Sequence, residues 1–89
     1  MTLKRFWFEF DIDNVFDCPA GVGLGCGVTA FNLVDALQIM DDEIFHSTKR
    51  PPFKIVTENV DVSTLDPGHV IPNMKAPVER GIWFPSIYD

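Results

Sequence analysis

The most distinctive gap in this 89-residue sequence is the absence of lysine and arginine from Phe6 through Thr48. The same stretch carries eight acidic residues, whereas the remainder of the chain holds all seven basic residues and only five acidic ones. A one-sided negative field of this kind repels nucleic acids and anionic membranes, and it attracts basic proteins. The charge pattern therefore argues against nucleic-acid and membrane-surface partners and predicts a basic protein partner.

The sequence also lacks any run that is long and apolar enough to cross a bilayer. Lys4 and Arg5 imitate the start of a secretory signal, but Glu9 and Asp11 interrupt the segment that follows them. We therefore expect a cytoplasmic protein without membrane association. The length predicts a single domain that spans residues 1–89.

Cysteine and histidine are scarce, with two of each: Cys18, Cys26, His46 and His69. Structural zinc modules place their ligands in close pairs, and these four residues are not spaced in that way. In the cytoplasm the two cysteines are expected to remain free thiols. We therefore predict no metal and no other cofactor. A small metal- or thiol-dependent enzyme or sensor built on these four residues is the alternative.

Catalytic motifs are missing as well. The glycine-rich segment 21–27 lacks the lysine of a phosphate-binding loop, and its glycines do not have the spacing of a dinucleotide-binding turn. Its glycines instead predict a turn that needs positive φ angles. No signature of a nucleophilic triad or a kinase occurs. The sequence therefore predicts a protein that is not an enzyme and has no catalytic residues.

What the sequence does contain begins with a clear strand over residues 4–11. Phe6, Phe8 and Phe10 alternate with polar residues and with Trp7, so the phenylalanines should share one face of a sheet. Three further segments have the composition of strands, at residues 27–31, 53–62 and 81–84. The phenylalanine face is expected to form the core.

A helix is predicted over residues 33–44, with Asn32 as its N-cap and Asp35 in its first turn. Its apolar residues lie at helical spacing and are expected to face the core: Leu33, Ala36, Leu37, Met40 and Ile44. Ile39 falls outside this stripe and is a lesser candidate for an exposed contact. The predicted fold is α+β, with element order β-β-α-β-β, in which one helix packs on one face of a small antiparallel sheet.

The two tryptophans can be interpreted either as core residues or as residues of a binding surface. Trp7 should lie on the sheet face opposite the phenylalanines, with Trp83 as a neighbour. One interpretation is a second small core that the irregular segment 63–77 covers. The other is an exposed anchor, since tryptophan is enriched among the residues that dominate protein interfaces.

The run Asp41-Asp42-Glu43 falls in the last turn of the predicted helix, where the helix dipole disfavours anions. Simple solvation of a surface face would explain it, and so would a negative patch that meets a basic partner. We predict that partner binding uses Asp35, Asp41, Asp42 and Glu43, with Trp7 as an anchor. A homodimer joined through an exposed strand edge is a further alternative.

Residues 60–70, 72–74 and 80–85 resemble the C-terminal half of a group of small uncharacterised bacterial proteins. The segment 27–31 followed by a helix is similar to their middle part, and the resemblance implies no activity. In size and acidity the chain also resembles the immunity proteins of bacterial toxin systems. That second resemblance implies an inhibitor that blocks the cationic cleft of a basic, nuclease-like toxin.

Overall fold

The computed structural model describes residues 2–11, 22–46 and 51–86. Its regular elements are β1 (Lys4–Phe10), β2 (Cys26–Ala30), α1 (Leu33–Met40), β3 (Phe53–Glu58) and β4 (Gly81–Phe84). The predicted α+β class is confirmed, because one helix lies against a small antiparallel sheet. Short 3-10 turns and a π-helical turn are added to the predicted order of elements.

The four strands form an open antiparallel sheet in the order β3-β1-β2-β4. β1 is therefore a central strand, and its Phe8 lies opposite Cys26 on β2 and Val56 on β3. Both faces of β1 are buried, since Phe6 and Phe8 lie on one face and Trp7 lies on the other.

The first core lies between the sheet and α1. Its buried members come from the phenylalanine face of β1, the inward face of β2, the helix and β4: Phe6, Phe8, Phe10, Cys26, Val28, Ala30, Ala36, Ile39, Met40, Ile44, Phe45 and Ile82. The predicted stripe is wrong at two positions, since Leu33 is exposed and Ile39 is buried. Ile39 lies on the inward face with Ala36 and Met40. Leu33 lies on the same side of the helix as Met40, but it is the first residue of α1 and remains exposed there.

The helical segment ends differently from the prediction. α1 stops at Met40, and a π-helical turn continues from Asp41 to Phe45. The turn ends at His46, which has a φ of 53°. In this turn the adjacent residues Ile44 and Phe45 are both buried in the first core. The apolar stripe of an ideal helix would have included Ile44 only.

A second core covers the opposite face of the sheet, as one of the two interpretations of the tryptophans predicted. The segment 59–76, which we call the strap, lies over Trp7 and Trp83. It contributes apolar residues to the cluster Trp7, Val60, Leu65, Val70, Trp83 and Phe84, with Val62 and Met74 packed at its side. β3 ends at Glu58, short of the predicted residue 62, because Asn59 adopts a φ of 56° and turns the chain into the strap.

Two glycines allow the tryptophans to lie directly on the backbone of the sheet. A Cβ atom added at Gly27 would lie 2.5 Å from three ring atoms of Trp83. At Gly25, where φ is +128°, it would lie 2.4 Å from the ring of Trp7. The predicted positive φ is present at Gly25, and both glycines also allow the close approach of the tryptophan rings. The preceding part of the predicted loop, residues 12–21, lies outside the described residues.

Candidate functional site

Trp7 is a core residue in the structure, which corrects its proposed role as a binding anchor. Only 4% of its surface is exposed, and its ring stacks on that of Trp83 with centroids 5.9 Å apart. Its indole Nε1 donates a hydrogen bond to Oε2 of Glu9 at 3.1 Å. A partner could reach this ring only after the strap had opened.

Asp35 organises the start of α1. Its backbone N–H donates to the side chain of Asn32 at 2.8 Å, and its carboxylate accepts from the backbone N–H of Phe31 at 3.1 Å. The hydrogen bond from Asp35 to the side chain of Asn32 confirms Asn32 as the predicted N-cap. The carboxylate of Asp35 binds the N–H of the residue before the cap.

The same carboxylate of Asp35 forms a two-pronged ion pair with Arg80. The guanidinium Nε donates to Oδ2 at 2.9 Å, and Nη2 binds Oδ1. The hydrogen bonds from Arg80 and from the backbone of Phe31 lower the pKa of Asp35 below its ordinary value. Because Arg80 neutralises this carboxylate, Asp35 belongs to the architecture of the helix start rather than to the free acidic surface.

Asp35→Asn is expected to reduce the free energy of unfolding at pH 7 by about 1 kcal/mol, through loss of charge at the cap and at the ion pair. A carboxyl whose folded pKa is lowered stabilises the fold above its unfolded pKa, and that contribution is lost as pH falls through the folded value. Urea unfolding should therefore show a smaller difference in the free energy of unfolding between the variant and the wild type below about pH 4 than at pH 7. An equal difference at both pH values would contradict this role.

The acidic run occupies the π-helical turn at the other end of the helix. Asp42 and Glu43 are exposed, and Asp41 is half-buried. Asp42 accepts a hydrogen bond from the side-chain nitrogen of Gln38 at 3.0 Å, which orients its carboxylate. Within residues 2–11, 22–46 and 51–86, neither Asp42 nor Glu43 forms an ion pair.

Two of the described cations are engaged elsewhere. Lys4 on β1 binds Oε1 of Glu58 at 2.6 Å, and Arg80 binds Asp35. The first pair joins β1 to the end of β3, and the second joins α1 to the residue before β4. They leave the carboxylates of Asp42 and Glu43 as exposed negative charge at the end of the helix.

The outward side of α1 contains a feature that the sequence analysis missed. Val34, Gln38 and Asp42 are four residues apart and therefore form one line along the helix, which we call the outer ridge. Val34 is 77% exposed, and the neighbouring Leu33 is also exposed. Val34 lies outside the apolar stripe in the sequence, and that was the available signal for an exposed apolar residue.

The residues of the alternative metal or thiol site do not form one in the part of the chain that the structure describes. Cys26 is fully buried in the first core, where desolvation raises the pKa of its thiol. His69 is exposed on the strap beside Asp66, with Nδ1 3.0 Å from the carboxylate. No group of three metal-binding side chains occurs among the described residues. Cys18 lies outside them.

Comparison with protein-family models, with curated proteins and with solved structures gives no match to this chain. Among the described residues, none of the helices has the length and apolar character needed to span a membrane. The outer ridge and the acidic turn that follows it are therefore the candidate site on the grounds of their exposure and chemistry alone.

Proposed function

We propose that this chain is a protein-binding module that docks a basic protein on the outward side of α1. The observation that carries the proposal is the outer ridge, which begins at the exposed apolar Val34 and ends at the exposed carboxylate of Asp42, next to the exposed Glu43. The same helix thus offers an apolar contact and a negative charge in one accessible strip. Protein interfaces combine these two elements in an apolar centre with a polar rim.

The position of the carboxylates adds an electrostatic argument. The C-terminal end of a helix carries partial negative charge, so anions there are disfavoured by up to about 1 kcal/mol each. Asp42 and Glu43 occupy that end without an ion pair among the described residues. A cationic partner surface would offset this repulsion, so binding would be stronger than for the same carboxylates in a neutral location.

The apolar end of the ridge supplies a different part of the affinity. Leu33 and Val34 are exposed at the first turn of α1, beside the Asp35–Arg80 ion pair that holds this turn in place. Desolvating such side chains on binding slows dissociation, whereas exposed charges chiefly accelerate association. The two ends of the ridge should therefore have separable kinetic effects.

The more specific form of the proposal is a cytoplasmic immunity protein that inhibits a basic, nuclease-like toxin by covering its cationic cleft. The similarity in size and acidity to immunity proteins supports this version. Carboxylates of Asp42 and Glu43 would stand in for the phosphates of the toxin's substrate. Inhibition of this kind requires no catalytic residue on the inhibitor.

The proposal is tested by affinity capture from the native cell with three forms of the chain as bait. The wild type should retain a basic protein, and Asp42→Asn combined with Glu43→Gln should lose it. The control combines Asp11→Asn with Glu79→Gln, which removes the same charge from exposed positions outside α1 and the π-helical turn. Capture of a basic protein that all three baits retain equally would overturn the assignment of this site.

A further inference from the structure

The two outer edges of the sheet differ in how they are covered. β4 is buried or half-buried along its whole length, and the end of the strap contacts it through the backbone N–H of Lys75, which donates to the carbonyl of Trp83 at 3.0 Å. β3 forms the opposite edge, and among the described residues no segment pairs with the outer side of residues 54–58. In the described part of the chain, one edge of the sheet is therefore covered, and the other, which we call the open edge, has no pairing strand.

The open edge carries apolar side chains where a solvated edge would carry polar ones. Four of the six residues of β3 are exposed, and Ile55 and Val56 each expose 44% of their surface. Strand edges that remain single are usually protected by charge, proline or burial, because their free backbone groups pair readily with another strand. β3 is rich in β-branched residues and is regular from Ile55 to Glu58, so it suits such pairing.

We propose that β3 pairs antiparallel with β3 of a second copy of this chain, about a two-fold axis that passes beside Val56. In this register each Val56 faces the Val56 of the other copy, and Ile55 faces Thr57. Lys54 of each copy then lies opposite Glu58 of the other. Two copies would thereby form one continuous eight-stranded sheet.

The charges on β3 select this arrangement over its alternatives. Lys54 and Glu58 are the only charged residues of the strand, and they lie equally far from Val56 on either side. Only an antiparallel pairing centred on Val56 places them opposite each other twice. A parallel, in-register pairing would instead bring Lys54 to Lys54 and Glu58 to Glu58, which is destabilising.

The existing contacts of Glu58 are compatible with this pairing. Lys4 of the same copy holds its Oε1 at 2.6 Å, which leaves Oε2 to accept from Lys54 of the second copy. Lys54 lies at the irregularity between the Glu9–Ile55 and Phe10–Phe53 pairs, so its side chain is at the margin of the shared ribbon. A short ribbon buries less than the roughly 1,600 Å² of a standard interface, so the dimer should depend on concentration.

The pairing is independent of the proposed function, because β3 and the outer ridge of α1 are different elements. It is tested by sedimentation velocity of the wild-type chain over a range of concentrations. Val56→Lys places two cations face to face at the axis and should abolish the dimer. Val78→Lys is the matched control, since it adds the same charge at an exposed valine outside the sheet.

Charge reversal tests the register itself. Lys54→Glu alone and Glu58→Lys alone each place like charges opposite each other, and each should raise the dimer dissociation constant about tenfold. Mixing the two variants should restore association, because the acidic strand of one variant then faces the basic strand of the other. Circular dichroism confirms that each variant is folded.

Two results would overturn the inference. One is a wild-type chain that stays monomeric at every concentration, as it would if the edge receives a strand from a different protein. The other is a dimer that Val56→Lys or the single charge reversals leave unchanged, since that dimer must use another surface. Restored association in the mixture supports the Val56-centred register specifically.

Discussion

Gly27→Ala is expected to lower the free energy of unfolding by about 2–3 kcal/mol, at the upper end of the range for overpacked cores. The added Cβ would lie 2.5 Å from three atoms of the six-membered ring of Trp83, which is closer than any real contact. Trp83 cannot swing aside, because it is 1% exposed and is enclosed by Trp7 and the strap. The measurement is urea unfolding. The midpoint should fall, while the dependence of the free energy of unfolding on urea concentration stays as in the wild type.

The control for Gly27→Ala is Gly68→Ala. At Gly68 the nearest atom to an added Cβ is a side-chain oxygen of Asp66 at 3.4 Å, an ordinary contact, so the change should stay within about 0.5 kcal/mol. Trp83→Phe removes the ring atoms that meet the added Cβ, so combining it with Gly27→Ala should cost less than the sum of the two single changes. Strict additivity would show that the clash is not the cause.

Val70→Asp is expected to destabilise the chain by at least about 3 kcal/mol, because it buries an unpaired carboxylate in the second core. Val70 is 1% exposed and belongs to the cluster that the strap forms over the tryptophans. For a domain of this length, such a loss is a large share of a total stability of about 4–13 kcal/mol. Thermal unfolding and limited proteolysis should both show the loss.

Val78→Asp is the matched control for the strap, because it makes the same chemical change at a valine that is 65% exposed. It should leave the unfolding midpoint nearly unchanged. If Val70→Asp were equally harmless, the strap would be a loosely attached segment. The tryptophans would then be accessible to a partner, and the role of Trp7 as an anchor would have to be reconsidered.

The parts of the fold that follow from local patterns were predictable. The alternation of Phe6, Trp7 and Phe8 fixes which side chains share a face of the sheet. The position of Asn32 before an apolar periodic segment specifies a helix start, and the structure contains that cap. The covered environment of Trp83 was one of two interpretations that the sequence left open, and the strap decides between them.

The features that depend on tertiary contacts could not be predicted. Asp35 and Arg80 are 45 positions apart, and only the folded chain shows that their charges cancel. The π-helical turn at Asp41–Phe45 is a local rearrangement that places Ile44 and Phe45 together in the core, and periodicity does not foresee it. The exposure of β3 likewise depends on which edges of the sheet the other elements leave uncovered.

The central claim is that the carboxylates of Asp42 and Glu43 attract a basic partner to the helix. The most direct measurement is the association rate of the captured protein as a function of salt, by stopped flow, for the wild type and the two double variants. We expect slower association and a shallower salt dependence for Asp42→Asn with Glu43→Gln, and wild-type behaviour for Asp11→Asn with Glu79→Gln. Identical rates and salt slopes for all three chains would contradict it.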